Sequence, residues 1–266
     1  MPKICDFAVR FSMLVAHELG EARLVGHQSR ETSWTDRMLL ELKRMRDPRI
    51  IAATANEKVT GGDMDWWFVR GKTGFCMTIQ AKILHYRQQD SCLWHYEDLA
   101  HPAFKPGYQS RTLVSHARSE TRAGRPRYPY YLFYNPGEAL SSPVVPYSKL
   151  LAGVTVIDGY VVARHIARNL TAGARFPIAA KRYTTLRPWM MTLHDLLCAP
   201  CEDVPGPEGM IATIDNAWDR LRARDLIPKN GRRLRPAPIR SLPPEIIRII
   251  EGGGDRDFPY DTVGLA

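Results

Sequence analysis

Apolar side chains recur every three or four positions in two segments near the N-terminus, a spacing typical of amphipathic helices. The first segment covers residues 6–24, and the charged residues that interrupt it argue against a secretion signal. The second covers residues 33–46. Thr32 or Ser33 is predicted to cap this second helix, and Asp47-Pro48 is predicted to end it.

Short runs of β-branched and aromatic residues follow, separated by turns that contain glycine. They predict three strands at 50–55, 63–69 and 75–82. A helix is then predicted at 109–122, and an aromatic-rich fourth strand at 128–134. From the second helix onward the predicted order is α-β-β-β-α-β, which indicates an α/β fold.

Composition shifts divide the chain into three predicted parts. These are an N-terminal helix in 1–30, a core in 31–136, and a mainly helical C-terminal extension in 137–266 that begins with several prolines. Within the extension, a strand is predicted at 154–157 and helices at 160–170, 188–197, 210–224 and 244–250. Residues 85–106 are rich in Tyr, Trp and His and are hard to assign. Their pattern is compatible with a short helix.

Charge and composition narrow the function classes. The 266 residues are 44% hydrophobic, enough for a sizeable core, and carry a net charge of +9, which favours a polyanionic partner. A basic protein without a nucleic-acid role fits the charge equally well. The apolar run at 150–157 is too short to cross a bilayer, so no membrane association is expected. Five cysteines, an odd number, do not form a disulfide framework, and a cytoplasmic location is expected.

The second and third strands carry polar residues that a buried sheet does not need. Because side chains alternate along a strand, Asp63 and Asp65 share one face, as do Gln80 and Lys82 on the partner strand. If the hairpin closes around 70–74, residue 65 lies opposite 79 or 80. Carboxylate and amide oxygens suit Mg²⁺ or Mn²⁺. A purely structural Asp–Lys ion pair accounts for the same pattern about equally well.

The α-β-β-β-α-β order, with Gly-x-Asp63 at the start of the second strand and Gln80-Ala-Lys82 at the end of the third, resembles the PD-(D/E)XK nuclease superfamily. It is similar to the branch with glutamine in place of an acid, which includes Mrr-type restriction enzymes, and to uncharacterised bacterial proteins of that kind. The resemblance covers residues 31 to about 135. It implies a restriction-endonuclease-like core with a mixed central sheet flanked by helices.

The resemblance also implies roles for individual residues. Asp63 corresponds to the metal-binding acid, Gln80 takes the place of the second acid, and Lys82 orients water and stabilises charge on phosphorus. The candidate catalytic residues are Asp63, Gln80, Lys82, Glu57 and Glu31. The candidate metal ligands for Mg²⁺ or Mn²⁺ are Asp63, Gln80 and Asp65.

Two further features are candidates for binding nucleic acid. Gln109 begins the helix that follows the three strands, although its spacing alone favours a solvated helix residue. The segment 220–240 is strongly basic and suits backbone phosphates, although such a run is usually a solvated surface. Its candidate residues are Arg220, Arg222, Arg224, Arg232, Arg233 and Arg235.

The function expected from the resemblance is metal-dependent hydrolysis of DNA phosphodiester bonds by an endonuclease, in restriction or antiviral defence. RNA is not excluded as the substrate, and a homodimer is compatible with the chain. The alternative is a noncatalytic nucleic-acid-binding or interaction module on a nuclease-like scaffold. A third hypothesis is an unrelated α/β protein with a structural ion pair at the hairpin.

Overall fold

The computed structural model describes residues 3–47, 50–70, 73–87, 93–103, 107–140, 151–170, 176–198 and 237–238. The helices are α1 (Lys3–Leu24), α2 (Glu31–Arg44), α3 (Glu57–Thr60), α4 (Gln109–Arg122), α5 (Gly159–Asn169), α6 (Ile178–Lys181), α7 (Tyr183–Leu186) and α8 (Leu193–Cys198), with 3-10 turns at Gly137–Leu140 and Arg187–Trp189. The strands are β1 (Ile50–Thr54), β2 (Met64–Arg70), β3 (Thr73–Ile83), β4 (His85–Arg87), β5 (Leu93–His95), β6 (Arg127–Tyr134), β7 (Val154–Asp158), β8 (Met191–Thr192) and β9 (Ala237–Pro238).

A mixed sheet with the strand order β1-β2-β3-β6-β7-β8 organises the described residues, and β9 pairs with β3 beside this path. The β3–β6 pair is parallel, while β1–β2, β2–β3, β6–β7 and β7–β8 are antiparallel. The chain crosses from β3 to the parallel strand β6 through α4, as parallel pairing requires. The predicted α/β class and the α-β-β-β-α-β order are confirmed, with α3 and the β4–β5 hairpin as additions.

The two faces of the sheet bury two separate apolar clusters, because successive side chains of a strand point to opposite faces. On β3, Phe75, Met77 and Ile79 face α1 and α2 and belong to the larger cluster. The opposite face packs against α4 and α5, where Tyr131 of β6 and Leu113 of α4 are buried. Thr78, Gln80 and Lys82 are also buried, and the alternation places them on this second face.

The sheet continues across the boundary predicted between residues 136 and 137, since β7 pairs with β6 and β8 pairs with β7. Every residue of β6 is buried, because β3 and β7 flank it on both sides. The N-terminal helix is likewise part of this core: Phe11 contacts Trp34 of α2 edge to face, with 6.2 Å between the ring centroids. The predicted three-part division therefore does not follow the packing of the described residues.

Some local predictions are corrected by the structure. The second helix begins at Glu31 after Arg30, so Thr32 and Ser33 lie inside it and do not cap it. A β4–β5 hairpin occupies the aromatic-rich segment, where a short helix had been left open. The helix predicted at 188–197 is a 3-10 turn, strand β8 and helix α8. The helices predicted at 210–224 and 244–250 lie outside the described residues.

No disulfide framework was expected from the five cysteines, but Cys5 is disulfide-bonded, whereas Cys76 is a free and buried thiol. Among the helices of the described ranges, none has the length and apolar character needed to span a membrane.

Candidate active site

The carboxylate of Asp63 lies where β2 begins, next to the last residues of β3. Its Oδ2 accepts hydrogen bonds from Gln80 Nε2 at 2.7 Å and from the backbone N–H of Ala81 at 2.7 Å. The backbone N–H of Asp63 donates to the carbonyl of Ile79 at 2.8 Å, which continues the β2–β3 pairing up to this residue. The strand pairing thus fixes the carboxylate against the amide of Gln80.

Two glycines let the chain enter β2 at this point. Gly61 ends α3 with φ +70°, in the left-handed region where other residues are strained. A Cβ on Gly61 would lie 2.6 Å from the backbone nitrogen of Leu113, and one on Gly62 would lie 2.8 Å from Thr78 Cγ2. Only glycine permits this approach of the first turns of α4, and Gln109 Nε2 donates to Glu57 Oε1 across the contact.

Lys82 and Glu31 form an ion pair beside Asp63, with 3.2 Å between Nζ and Oε1. Lys82 is the last but one residue of β3, and Glu31 is the first residue of α2. The lysine side chain is 5% exposed, whereas that of Glu31 is 25% exposed. Asp63 and Glu57 are half-buried, whereas Lys82 is buried.

Burial raises the pKa of both central carboxyl groups. The pKa of Glu31 rises to about 7, mainly through burial, with Lys82 opposing the rise and the charge of Asp63 adding to it. The pKa of Asp63 is also raised by burial, with Lys82 and the Ala81 N–H opposing and Glu57 adding to it. Burial therefore outweighs the opposing effect of Lys82, and the Glu31 carboxyl titrates near neutral pH.

Unpaired oxygens accompany these charges. The side-chain oxygens Oε1 of Gln80 and of Gln109 are buried and lack a hydrogen-bond partner among the described residues. A buried carbonyl oxygen without a donor is costly, and a cation or a bound water satisfies it. Flipping the Gln80 amide would place its oxygen against Asp63, so the orientation with Nε2 toward that carboxylate is the favourable one.

Carboxylate and amide oxygens are the ligand type that Mg²⁺ and Mn²⁺ prefer. In the part of the chain that the structure describes, no three His, Cys, Asp or Glu side chains are arranged to hold a metal ion. The donor set is instead the Asp63 carboxylate with the orphaned Gln80 oxygen. Such a small oxygen set is typical of Mg²⁺, which keeps several of its water ligands.

Asp65 lies on the same face but has different partners. Its Oδ1 accepts from Thr78 Oγ1 at 2.8 Å, and its Oδ2 accepts from Arg127 Nη1 at 2.6 Å. It pairs with Thr78 and not with residue 79 or 80, so the predicted register is wrong by at least one residue. Because an arginine already neutralises Asp65, the structure gives it the contacts of a structural ion pair and not those of a metal ligand.

The structure thus brings together Asp63, Gln80, Lys82 and Glu31, with the Glu57–Gln109 pair beside them. The basic candidates from Arg220 to Arg235 lie outside the described residues. Sequence reasoning missed the backbone N–H of Ala81 as a donor to Asp63, and it missed Arg127 as the partner of Asp65. The signal that could have pointed to Arg127 is a charge at the start of an otherwise apolar strand.

Comparison with known protein families gives an assignment that covers nearly the whole chain. A model described as a family of unknown function, DUF6615, matches residues 4–256. The chain belongs to the DUF6615 family. The match includes every residue of the candidate site, so this DUF6615 member carries the site inside the family's own region. A search of the curated proteins finds no match.

Proposed function

We propose that this DUF6615 protein is a metal-dependent nuclease that hydrolyses phosphodiester bonds of DNA. The observation that carries the proposal is the convergence of Asp63, Gln80, Lys82 and Glu31 at one end of the sheet. The resemblance to PD-(D/E)XK nucleases supports it, because the residues that match that motif are the ones in contact. Restriction or antiviral defence, a cytoplasmic location and a homodimer stay predictions.

In this proposal Asp63 and the Oε1 atom of Gln80 would hold the metal ion. A bound Mg²⁺ or Mn²⁺ supplies a Lewis acid that polarises the scissile phosphate and lowers the pKa of water. The Ala81 N–H and Gln80 Nε2 fix the Asp63 carboxylate, so that its Oδ1 is directed away from these donors. Oδ1 is therefore the Asp63 oxygen that would bind a metal ion.

Lys82 stabilises the negative charge that develops on the phosphate during attack. Preorganised cations in a water-poor site are effective because they need no reorganisation when the charge appears, and Lys82 is 5% exposed. Its contact with Glu31 Oε1 holds the ammonium group in place. Glu31, with a pKa of about 7, is matched to neutral pH and can accept a proton from the attacking water.

A noncatalytic nucleic-acid-binding module is the second candidate, and one observation favours it. Gln80 stands in place of an acid, so Asp63 is the one carboxylate in the proposed ligand pair. Its Oδ2 already accepts hydrogen bonds from Gln80 Nε2 and from the Ala81 N–H. Fewer charged ligands weaken metal binding. This candidate predicts salt-sensitive binding of DNA without cleavage.

Cleavage assays distinguish the two candidates. Purified protein is incubated with plasmid DNA and with RNA, with and without Mn²⁺ or Mg²⁺, beside the variants Lys82→Ala and Asp63→Ala. We expect metal-dependent cutting that falls by about two to three orders of magnitude in both variants. Lys58→Ala, which changes an exposed lysine next to Glu57, is the matched control and should cut at the wild-type rate.

Circular dichroism spectra establish that the variants are folded. Cutting that persists in chelator, or that is equal in wild type and Lys82→Ala, contradicts the proposal. DNA binding without cutting under any metal condition supports the second candidate. Cutting of RNA but not of DNA would support phosphodiester hydrolysis, with RNA as the substrate in place of DNA.

A further inference from the structure

Helix α4 carries a row of arginines on the face turned away from the sheet. Arg111, Arg118 and Arg122 are all exposed, and spacings of seven and four residues place them on one side of a helix. The opposite side packs against the core, where Leu113 and Ala117 are buried. We call the row formed by Arg111, Arg118 and Arg122 the arginine stripe.

The positive charge of the stripe is not cancelled within the described residues. No ion pair there involves Arg111, Arg118 or Arg122; Arg118 instead lies over the ring of Tyr160, with 4.9 Å from Cζ to the ring centroid. The acid of α4, Glu120, is directed to Arg125, whose Nε lies 2.7 Å from Oε2. The stripe therefore offers guanidinium groups to an anionic partner.

The helix that carries the stripe begins at the candidate active site, which contacts the buried side of its first turns. Gln109, the first residue of α4, donates to Glu57, and the backbone of Gly61 packs directly against the first turns of the helix. At a rise of about 1.5 Å per residue, Arg111 and Arg122 are about 16 Å apart along the helix axis. With one phosphate per about 3.4 Å of each DNA strand, this length corresponds to about five phosphates.

We propose that the arginine stripe of α4 binds the phosphate backbone of DNA and leads it to the Asp63–Lys82 site. The inference rests on the proposed function, because it takes the same substrate. Arginine forks pair with phosphate oxygens and fix the position of the duplex without reading its sequence. Contact with the Tyr160 ring limits the freedom of Arg118, which lowers the entropy lost on binding.

A binding experiment in chelator tests the stripe without relying on cleavage. Fluorescence anisotropy with a labelled DNA duplex of about 20 base pairs compares wild type with the triple variant Arg111→Gln, Arg118→Gln, Arg122→Gln across a salt series. We expect affinity at low salt to fall at least about tenfold. We expect the slope of log K against log salt to become shallower by about 2.7, or about 0.9 for each phosphate that the variant no longer neutralises.

The matched control removes the same charge from α1 and from the C-terminal end of α2, on the other face of the sheet. The variant Arg10→Gln, Arg44→Gln, Arg46→Gln changes three exposed arginines and should bind DNA with nearly the wild-type slope. Replacing the three stripe arginines by lysine keeps the charge and should restore most of the binding. This variant also distinguishes a charge effect from a folding defect.

The outcomes separate this inference from the proposed function. If wild type cuts DNA and the stripe and control variants bind equally well, the inference is overturned and the nuclease proposal stands. If wild type does not cut but the stripe variant alone loses salt-sensitive binding, the stripe is supported and the nuclease proposal fails. A slope that falls equally in both glutamine variants indicates a general effect of net charge and also overturns the inference.

Discussion

Asp63 and Asp65 lie two residues apart on one face of the same sheet, and their surroundings differ in charge. Around Asp65 the charges balance: Asp65 pairs with Arg127 at 2.6 Å, and Glu120 pairs with Arg125 at 2.7 Å. Thr78 completes this cluster, donating to Asp65 at 2.8 Å and accepting from Arg127 at 2.8 Å. We call this set the balanced cluster.

Around Asp63, Glu31 and Glu57 are further acidic groups and Lys82 is a cation. Lys82 lowers the pKa of both Glu31 and Asp63, whereas the charge of Asp63 raises that of Glu31 and the charge of Glu57 raises that of Asp63. The pKa values of Glu31 and Asp63 are raised, whereas that of Glu120 in the balanced cluster is lowered, first by its hydrogen bond with Arg125. Both residues are aspartates, so residue type does not distinguish the two sites. Asp65 is paired with an arginine, whereas Asp63 lies beside the Gln80 side chain, whose Oε1 lacks a hydrogen-bond partner among the described residues.

The largest expected effect comes from breaking the balanced cluster. Arg127→Met leaves the Asp65 carboxylate, which is 14% exposed, without its cation, and we expect the free energy of unfolding at pH 7 to fall by about 3–5 kcal/mol. Lys82→Met should cost less, because Glu31, with a pKa of about 7, can take up a proton at that pH. Urea denaturation measures both variants. If both variants lost the same unfolding free energy, the cations of the two clusters would contribute equally to stability, and the prediction would be wrong.

The second prediction concerns pH, measured in chelator. The folded-state pKa of Glu31 is about 7 and the ordinary value is 4.5, so its contribution is fully present below pH 4.5 and lost as pH rises through 7. Glu31→Gln should therefore remove a decline of up to about 3 kcal/mol in unfolding free energy between these limits. Glu120→Gln is the opposite control, because the pKa of Glu120 is lowered. Wild type loses the contribution of Glu120 to the unfolding free energy as pH falls, and the Glu120→Gln variant should lack this loss. Equal pH profiles for wild type and Glu31→Gln would contradict the prediction.

The third prediction concerns the cation itself. Mn²⁺ at about 100 times its Kd should raise the free energy of unfolding of wild type by about 2.7 kcal/mol, since only the folded chain gathers the ligands. Asp63→Asn keeps the shape but removes the charge and should abolish the rise. Glu120→Gln should retain it. Differential scanning calorimetry measures the shift in Tm, and a shift that is the same in Asp63→Asn would exclude Asp63 as a ligand.

The smallest effect compares two polar residues of β3. Thr78→Val removes a donor to Asp65 and an acceptor for Arg127, so we expect a loss of about 1 kcal/mol or somewhat more. Gln80→Met loses the donor to Asp63 but also removes an orphaned oxygen, so its net cost should be lower. Urea denaturation of both proteins measures the difference. A larger cost for Gln80→Met would mean that the Asp63 cluster is the more important one for stability.

Local patterns were sufficient for several elements of the site. The strands carrying Asp63 and Lys82 were predicted within one or two residues, and the period of two along each strand correctly placed the polar residues on one face. Helix α4 was predicted with its observed bounds from its apolar spacing. The partner of Asp65 was not predictable in this way, because Arg127 is 62 residues away and reaches it only through the parallel pairing of β3 with β6.

The sequence by itself determined the α/β order and the set of polar residues on β2 and β3, because hydrophobic periodicity and turn chemistry act locally. Only the tertiary structure decided which aspartate is paired with an arginine, since that depends on which distant cation is folded against it. The same holds for Glu31, which meets Lys82 because α2 begins beside the end of β3. The arginine stripe is likewise a tertiary feature, since packing α4 on the sheet turns those side chains toward solvent.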